Sequence, residues 1–100
     1  MFTRQIRELM PDDRYRQLQE AILANPRLGD LIPGSGGLRK VRWTLSGQGK
    51  RGGARVIYFW IRSEDQVYML LAYAKSQQAD LTRDQIKQLR KIVEEELQGG

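Results

Sequence analysis

The sequence contains no cysteine and no histidine, and these two absences exclude several kinds of chemistry. Without cysteine the chain cannot form disulfides, thiolate metal sites or a thiol nucleophile. Without histidine it lacks the usual proton shuttle and the commonest metal ligand. Any catalysis therefore has to use Lys, Arg, Tyr, Ser, Asp or Glu side chains.

Long apolar segments are also missing. The longest uninterrupted apolar run, Val67–Ala74, has eight residues, whereas a membrane-spanning helix needs roughly 18 to 20. The first residues lack the charged-then-apolar layout of a signal peptide. A chain of 100 residues is long enough for one hydrophobic core and too short for two. We therefore expect residues 1–100 to form a single cytoplasmic domain.

Negative charge is absent from one third of the chain. Residues 31–63 contain seven cations and no carboxylate, while the rest of the chain holds ten cations and twelve anions. Such a concentration of positive charge favours a polyanionic partner, although a solvated face without a partner is the alternative. The seven cations are Arg39, Lys40, Arg42, Lys50, Arg51, Arg55 and Arg62.

Apolar spacing predicts the regular elements. Two helical patterns, Phe2–Met10 and a second that begins at Asp12 and stops at Asn25 before a proline, precede a glycine-rich connector without regular structure, Arg27–Gly37. Thr82 and Gln85 have capping-box spacing and mark the start of a C-terminal helix. Alternating and β-branched residues predict three antiparallel strands, Leu38–Leu45, Ala54–Arg62 and Val67–Lys75. We therefore expect an α+β fold, a small antiparallel sheet with the helices packed on one face.

The uncovered face of such a sheet would form a basic, partly aromatic groove. It would collect Lys40 or Arg42 from the first strand, Arg55 from the second, and Tyr73 with Lys75 from the third. Lys50 and Arg51 would lie on the glycine-rich loop above it. Cations that follow phosphates, next to a ring that can stack on a base, are typical of single-stranded nucleic-acid binding.

These residues could also cleave RNA without histidine. Attack of a ribose 2′-hydroxyl on the adjacent phosphorus needs a proton acceptor, charge stabilisation and a proton donor. Arg55 can stabilise charge, and Tyr73, Lys75 or Lys50 can supply the other two roles. The alternative is that Tyr73 is a packing residue, that Lys75 is only solvated, and that the Lys50–Arg51 loop belongs to a plain hairpin.

Three segments together resemble a known family. They are Gly34-Ser-Gly-Gly-Leu-Arg-Lys-Val-Arg-Trp43, Gly49-Lys-Arg-Gly-Gly-Ala-Arg-Val-Ile-Tyr-Phe59 and Tyr68-Met-Leu-Leu-Ala-Tyr-Ala-Lys75, followed by Asp80-Leu-Thr82 at the last helix. In this order and spacing they closely resemble the HigB branch of RelE-like toxins, over nearly the whole chain.

The resemblance implies the toxin half of a bacterial toxin–antitoxin pair. Such toxins are metal-independent mRNA endonucleases that act on the ribosome and are paired with a helix-turn-helix, HigA-like antitoxin. Matched by position, it favours Arg55, Tyr73 and Lys75 as the catalytic group. It favours Lys50 and Arg51 as substrate or ribosome contacts. Arg39, Lys40 and Arg42 match RNA backbone contacts.

One departure from the family pattern affects the expected sheet. Family members usually begin with a short strand before the first helix, and this chain begins about where that strand would end. A three-stranded sheet would then have an unprotected edge that invites pairing with a partner or a second copy. The alternative to a toxin is therefore a noncatalytic module with the same fold that binds RNA or an antitoxin.

Overall fold

The structure, a computed structural model, describes residues 12–43, 53–78 and 80–99. The predicted helix Phe2–Met10 and the loop cations Lys50 and Arg51 lie outside these residues. No helix in the described part is both long and apolar enough to cross a membrane. In chain order the elements are α1 (Asp12–Ala24), β1 (Asp30–Leu31), β2 (Leu38–Trp43), β3 (Ala54–Ile61), β4 (Gln66–Ala74) and α2 (Arg83–Gly99).

The fold is α+β, as expected, but its antiparallel sheet has four strands in the order β1-β2-β3-β4 rather than three. The additional strand, β1, comes from the connector that was expected to have no regular structure, and Asp30 pairs with Lys40. It is fixed by contacts distant in sequence, because the Tyr58 hydroxyl accepts a hydrogen bond from the Gly29 N–H (2.9 Å) and donates one to the Pro26 carbonyl (2.6 Å). A Cβ on Gly29 would lie 2.9 Å from the Tyr58 ring, so only glycine permits this close approach.

The helices pack on opposite faces of the sheet, and the expectation of a single covered face was wrong. On the α1 face, Leu18 and Ile22 of α1 join a buried cluster with Val41, Val56 and Tyr58. On the α2 face, residues of α2 pack against strand residues in a second buried cluster. Its members are Leu38, Ile57, Tyr73, Leu89 and Val93. The reason is visible in β3, whose buried residues alternate between both clusters, so that both of its sides need an apolar cover.

A β-bulge changes the expected side-chain alternation of β4. Ile57 pairs with Leu71 and Tyr58 with Met69, which leaves Leu70 as the extra residue. Met69 consequently packs with the α1 cluster, while Leu71 packs with the α2 cluster. The odd-numbered residues of β4, which a regular strand would place on a single face, are therefore divided between the two faces.

The predicted helix ends are confirmed. Helix α1 stops at Ala24, directly before the Asn25-Pro26 pair. At the start of α2, the Gln85 N–H donates to the Thr82 hydroxyl (3.1 Å) and the Thr82 N–H donates to the Gln85 side chain (3.0 Å). This reciprocal capping box fixes where the chain enters α2 after it leaves β4.

Candidate functional site

Three of the predicted site residues form a row across the sheet. Arg42 of β2 pairs with Arg55 of β3, and Arg55 pairs with Tyr73 of β4. Directly paired residues project from the same face, so the three side chains lie side by side on the α2 face. The pleat of three strands thus brings together residues that are up to 31 positions apart in the sequence.

The row is buried at Arg55 and Tyr73 and accessible at Arg42. Arg55 is 7% exposed and Tyr73 is 6% exposed, whereas Arg42 is exposed. The Arg55 guanidinium lies 3.4 Å from the carbonyl oxygen of Ala54. Like charges directly opposite each other destabilise a sheet. The Arg42–Arg55 pair is therefore a place where an anion would be favoured.

The Tyr73 hydroxyl is a buried polar group without a hydrogen-bond partner in the described part of the chain. Burial raises the pKa of Tyr73 above 10.0, the Asp80 carboxylate raises it further, and Arg55 opposes the rise. At neutral pH the phenol is therefore protonated. Its hydroxyl is suited to donating a proton or a hydrogen bond, and not to accepting a proton.

Lys75 lies just beyond the end of β4. Its backbone N–H donates to the Gly53 carbonyl (3.3 Å), which continues the β3–β4 ladder by one more position. Two residues after Tyr73, its side chain falls on the same face by strand alternation, and it is exposed. An accessible ammonium group thus adjoins the buried end of the row.

Lys40 lies on the α2 face of β2, two residues before Arg42. Its ammonium nitrogen is 3.1 Å from a carboxylate oxygen of Asp80, and this ion pair joins β2 to the segment that follows β4. The same carboxylate oxygen accepts a hydrogen bond from the Leu81 N–H (2.9 Å). The Leu81 N–H and then the Lys40 ammonium hold the pKa of Asp80 below its usual value.

A surface groove of about 400 Å³ runs beside β1 and β2. Its charged lining consists of Lys40 and Arg42 together with Asp30 and Asp80. The groove therefore gives a ligand access to the two β2 cations.

The family model described as the RelE toxin of the RelE / RelB toxin-antitoxin system matches residues 2–98. The chain belongs to the RelE toxin family. It is thus the toxin component of a toxin–antitoxin system, and membership in the RelE family implies an antitoxin partner of the RelB type and the ribosome.

Not all the cations expected to contact RNA share this face of the RelE-family domain. Arg39 pairs with Tyr58 and therefore projects from the α1 face, away from Lys40 and Arg42. Its guanidinium donates to the Gly29 carbonyl (2.7 Å), so it supports the turn that leads into β1.

Asp80 is the site residue that sequence reasoning missed. Its sequence context indicates only the segment that begins the last helix, yet its carboxylate forms an ion pair with Lys40 and adds to the raised pKa of Tyr73. The available signal was its position, five residues after Lys75 and directly before the capping box. A lone carboxylate that follows a basic strand end is a candidate ion-pair partner for the cations of the sheet.

Proposed function

We propose that this RelE-family toxin is of the HigB type and cleaves mRNA on the ribosome, which inhibits translation. The observation that carries the proposal is the direct pairing of Arg55 with Tyr73 across β3 and β4. It combines a permanent cation with a protonated hydroxyl on one face. Lys75, one ladder position beyond Ala74, adds an accessible cation to this pair.

The proposed reaction is attack by the ribose 2′-hydroxyl on the adjacent phosphorus. The 2′-oxygen forms a bond to phosphorus while the bond to the 5′-oxygen breaks, giving a 2′,3′-cyclic phosphate and a 5′-hydroxyl. Arg55 stabilises the charge that develops on the phosphorane oxygens. Tyr73 gives its proton to the departing 5′-oxygen, because burial keeps its phenol protonated.

The proton of the 2′-hydroxyl has to go to a different group. Lys75 and Lys50 are the two candidates, each acting in its neutral form. Lys75 follows directly on the strand that carries Tyr73, and Lys50 is supported by the sequence resemblance alone. Replacing each lysine in turn and measuring the pH dependence of cleavage decides between them.

Burial of the catalytic pair supports dependence on the ribosome. Since Arg55 and Tyr73 are almost completely buried in the free chain, mRNA reaches them only after the chain around them shifts. A substrate ordered in advance by the ribosome reduces the entropic cost of such a step. Free RNA would lack this help and should be cleaved slowly.

The remaining cations are proposed to hold the RNA backbone. Lys40 and Arg42 line the groove, and Arg42 pairs with Arg55 of the catalytic pair. Lys50 and Arg51 are expected contacts from the resemblance. Arg39 lies on the other face. We propose that it contributes to function by stabilising the turn before β1 through its hydrogen bond to the Gly29 carbonyl. The proposed antitoxin is a helix-turn-helix, HigA-like protein. An exposed edge of the sheet is a candidate surface for pairing with a partner or with a second copy of this chain.

The test is a translation reaction with purified ribosomes and a defined mRNA, in which cut sites are mapped by primer extension. The full chain should cleave the mRNA only when ribosomes are present. Arg55→Lys keeps the charge but loses the planar fork, and it should lower the cleavage rate by about 100-fold or more. Circular dichroism of the variant should match that of the parent chain.

Asp84→Asn provides a matched control, since it changes an exposed charge on α2 and should leave cleavage unchanged. Cleavage that persists in Arg55→Lys would contradict the assignment of the site. No cleavage by the folded parent chain would favour the noncatalytic module, which should then show salt-sensitive RNA binding alone.

A further inference from the structure

The pair formed by Lys40 and Asp80 places a carboxylate where an RNA phosphate would be expected. Lys40 belongs to the groove that we propose holds the RNA backbone, and its side chain is 26% exposed. Its ammonium donates to the Asp80 carboxylate at 3.1 Å, and a phosphate oxygen can accept a charge-assisted hydrogen bond from the same ammonium.

The chain holds the Asp80 carboxylate at this position independently of Lys40. The Leu81 N–H donates to the same carboxylate oxygen, and the Gln78 side-chain amide donates to the Asp80 backbone carbonyl (2.8 Å). The amide of Gln78 also donates to Gln85 of the capping box (2.6 Å). Asp80 therefore stays near Lys40 because of the geometry of the segment before α2.

The other groove carboxylate provides a comparison. Asp30 pairs with Lys40 in the β1–β2 ladder and lines the same groove. It nevertheless forms no ion pair with Lys40 within the part of the chain that the structure describes. Contact with the Lys40 ammonium is thus particular to Asp80 and is not shared by every acid nearby.

We propose that Asp80 is an internal anion that occupies Lys40 in the free protein and that an RNA phosphate displaces it. This inference rests on the proposed RNA-binding function and assigns Asp80 a role in setting its affinity. By occupying one cation of the groove, Asp80 weakens binding to RNA backbones in general. Productive binding then depends more strongly on the remaining contacts.

Displacement is energetically accessible because the pair is close to solvent. The Asp80 side chain is 70% exposed, and exposed ion pairs contribute little to stability. The Lys40 side chain can exchange the Asp80 carboxylate for a phosphate oxygen as an equivalent partner, while the carboxylate stays in place and keeps the Leu81 N–H. The cost to the protein is therefore small, and the effect on RNA affinity is correspondingly modest.

The test uses the full chain and a short, labelled single-stranded RNA with 2′-O-methyl groups, which binds without being cleaved. Asp80→Asn retains the oxygen that accepts the Leu81 hydrogen bond and removes the charge. It should tighten binding by about threefold. Because Lys40 contacts a phosphate in both complexes, Asp80→Asn should leave the log-log salt dependence across about 50 to 200 mM salt nearly unchanged, whereas Lys40→Gln should flatten it by about 0.7.

A double-mutant cycle separates this role from a general change of charge. In a Lys40→Gln background, Asp80→Asn should give only the small change expected for loss of a groove charge, the same change that Asp30→Asn should give whether or not Lys40 is present. Unchanged or weaker binding by Asp80→Asn, or a full gain that persists without Lys40, would overturn the inference alone. Absence of RNA binding by every folded variant would overturn the proposed function as well.

Discussion

Arg42 and Arg55 lie directly opposite each other in the ladder between β2 and β3, so that two permanent cations share one face of the sheet. Arg55 is buried and Arg42 is exposed at the border of the groove. Like charges directly opposite each other destabilise a sheet, so we expect this pair to lower the stability of the free protein and to favour a bound anion. Stability and RNA binding should therefore respond in opposite directions to changes at Arg42.

The first prediction is that Arg42→Thr stabilises the protein and weakens its binding to RNA. Loss of the opposed cation, with a residue that suits a strand, should raise the free energy of unfolding by about 0.5 kcal/mol. Urea denaturation measures this change, and binding of the 2′-O-methyl RNA measures the second effect. Arg42→Lys keeps the charge and should show neither change. A less stable Arg42→Thr protein would show that repulsion at this pair is not significant.

The second prediction concerns the buried hydroxyl of Tyr73. Tyr73→Phe removes a hydroxyl that has no hydrogen-bond partner in the described part of the chain and keeps the ring in the α2 cluster. The variant should be more stable by about 1 kcal/mol because an unsatisfied buried polar group is removed. Its ribosome-dependent cleavage should fall by about 100-fold or more, as expected for loss of a proton donor.

Both measurements are needed to interpret this variant. Tyr68→Phe, which removes a hydroxyl from a less buried tyrosine of the same strand, is the matched control and should leave cleavage unchanged. If Tyr73→Phe unfolds more easily than the parent chain, the Tyr73 hydroxyl makes a favourable contact in the folded parent protein. If it cleaves mRNA at the parent rate, Tyr73 does not donate the proton.

Local signals were sufficient to predict much of this fold. The Asn25-Pro26 pair and the Thr82/Gln85 capping box marked helix ends correctly because capping and proline geometry depend on neighbours in the sequence. β3 was also predicted because it is short, β-branched and apolar. Such a segment favours a central strand independently of what packs against it.

The errors arose where distant residues decide the structure. The two-residue strand β1 depends on the Tyr58 hydroxyl, which lies 29 residues from Gly29, and no local pattern indicates it. The Lys40–Asp80 pair spans 40 residues and depends on how the chain returns from β4 to α2. By contrast, placing Arg55 next to Tyr73 required only the correct register of two adjacent strands.

The third prediction is that Asp80→Asn lowers the pKa of Tyr73. Burial is the main cause of the raised pKa, and the Asp80 charge adds to it by opposing formation of a nearby phenolate. Removing this charge should therefore move the titration of Tyr73 to lower pH, while Arg55→Gln should move it higher. The ¹³Cζ chemical shifts of the four tyrosines, followed by NMR as a function of pH, measure both changes. A Tyr73 titration unaffected by Asp80→Asn would contradict an electrostatic contact between them.

The last prediction follows from the lowered pKa of Asp80. A carboxyl group whose pKa is lower in the folded state than in the unfolded state stabilises the protein at pH values above the unfolded-state pKa. This stability is lost as the pH falls through the folded-state pKa. The contribution of Asp80 should therefore be complete above about pH 5 and should decline as pH falls below the ordinary pKa of 3.8 towards the lower folded pKa. In urea denaturation, the difference in stability between the parent chain and Asp80→Asn should narrow on acidification. Lys40→Gln keeps the Leu81 hydrogen bond, the largest single cause of the lowered pKa, and should retain part of this pH dependence. A difference that stays constant between neutral and strongly acidic pH would show that Asp80 is not held as an anion in the folded protein.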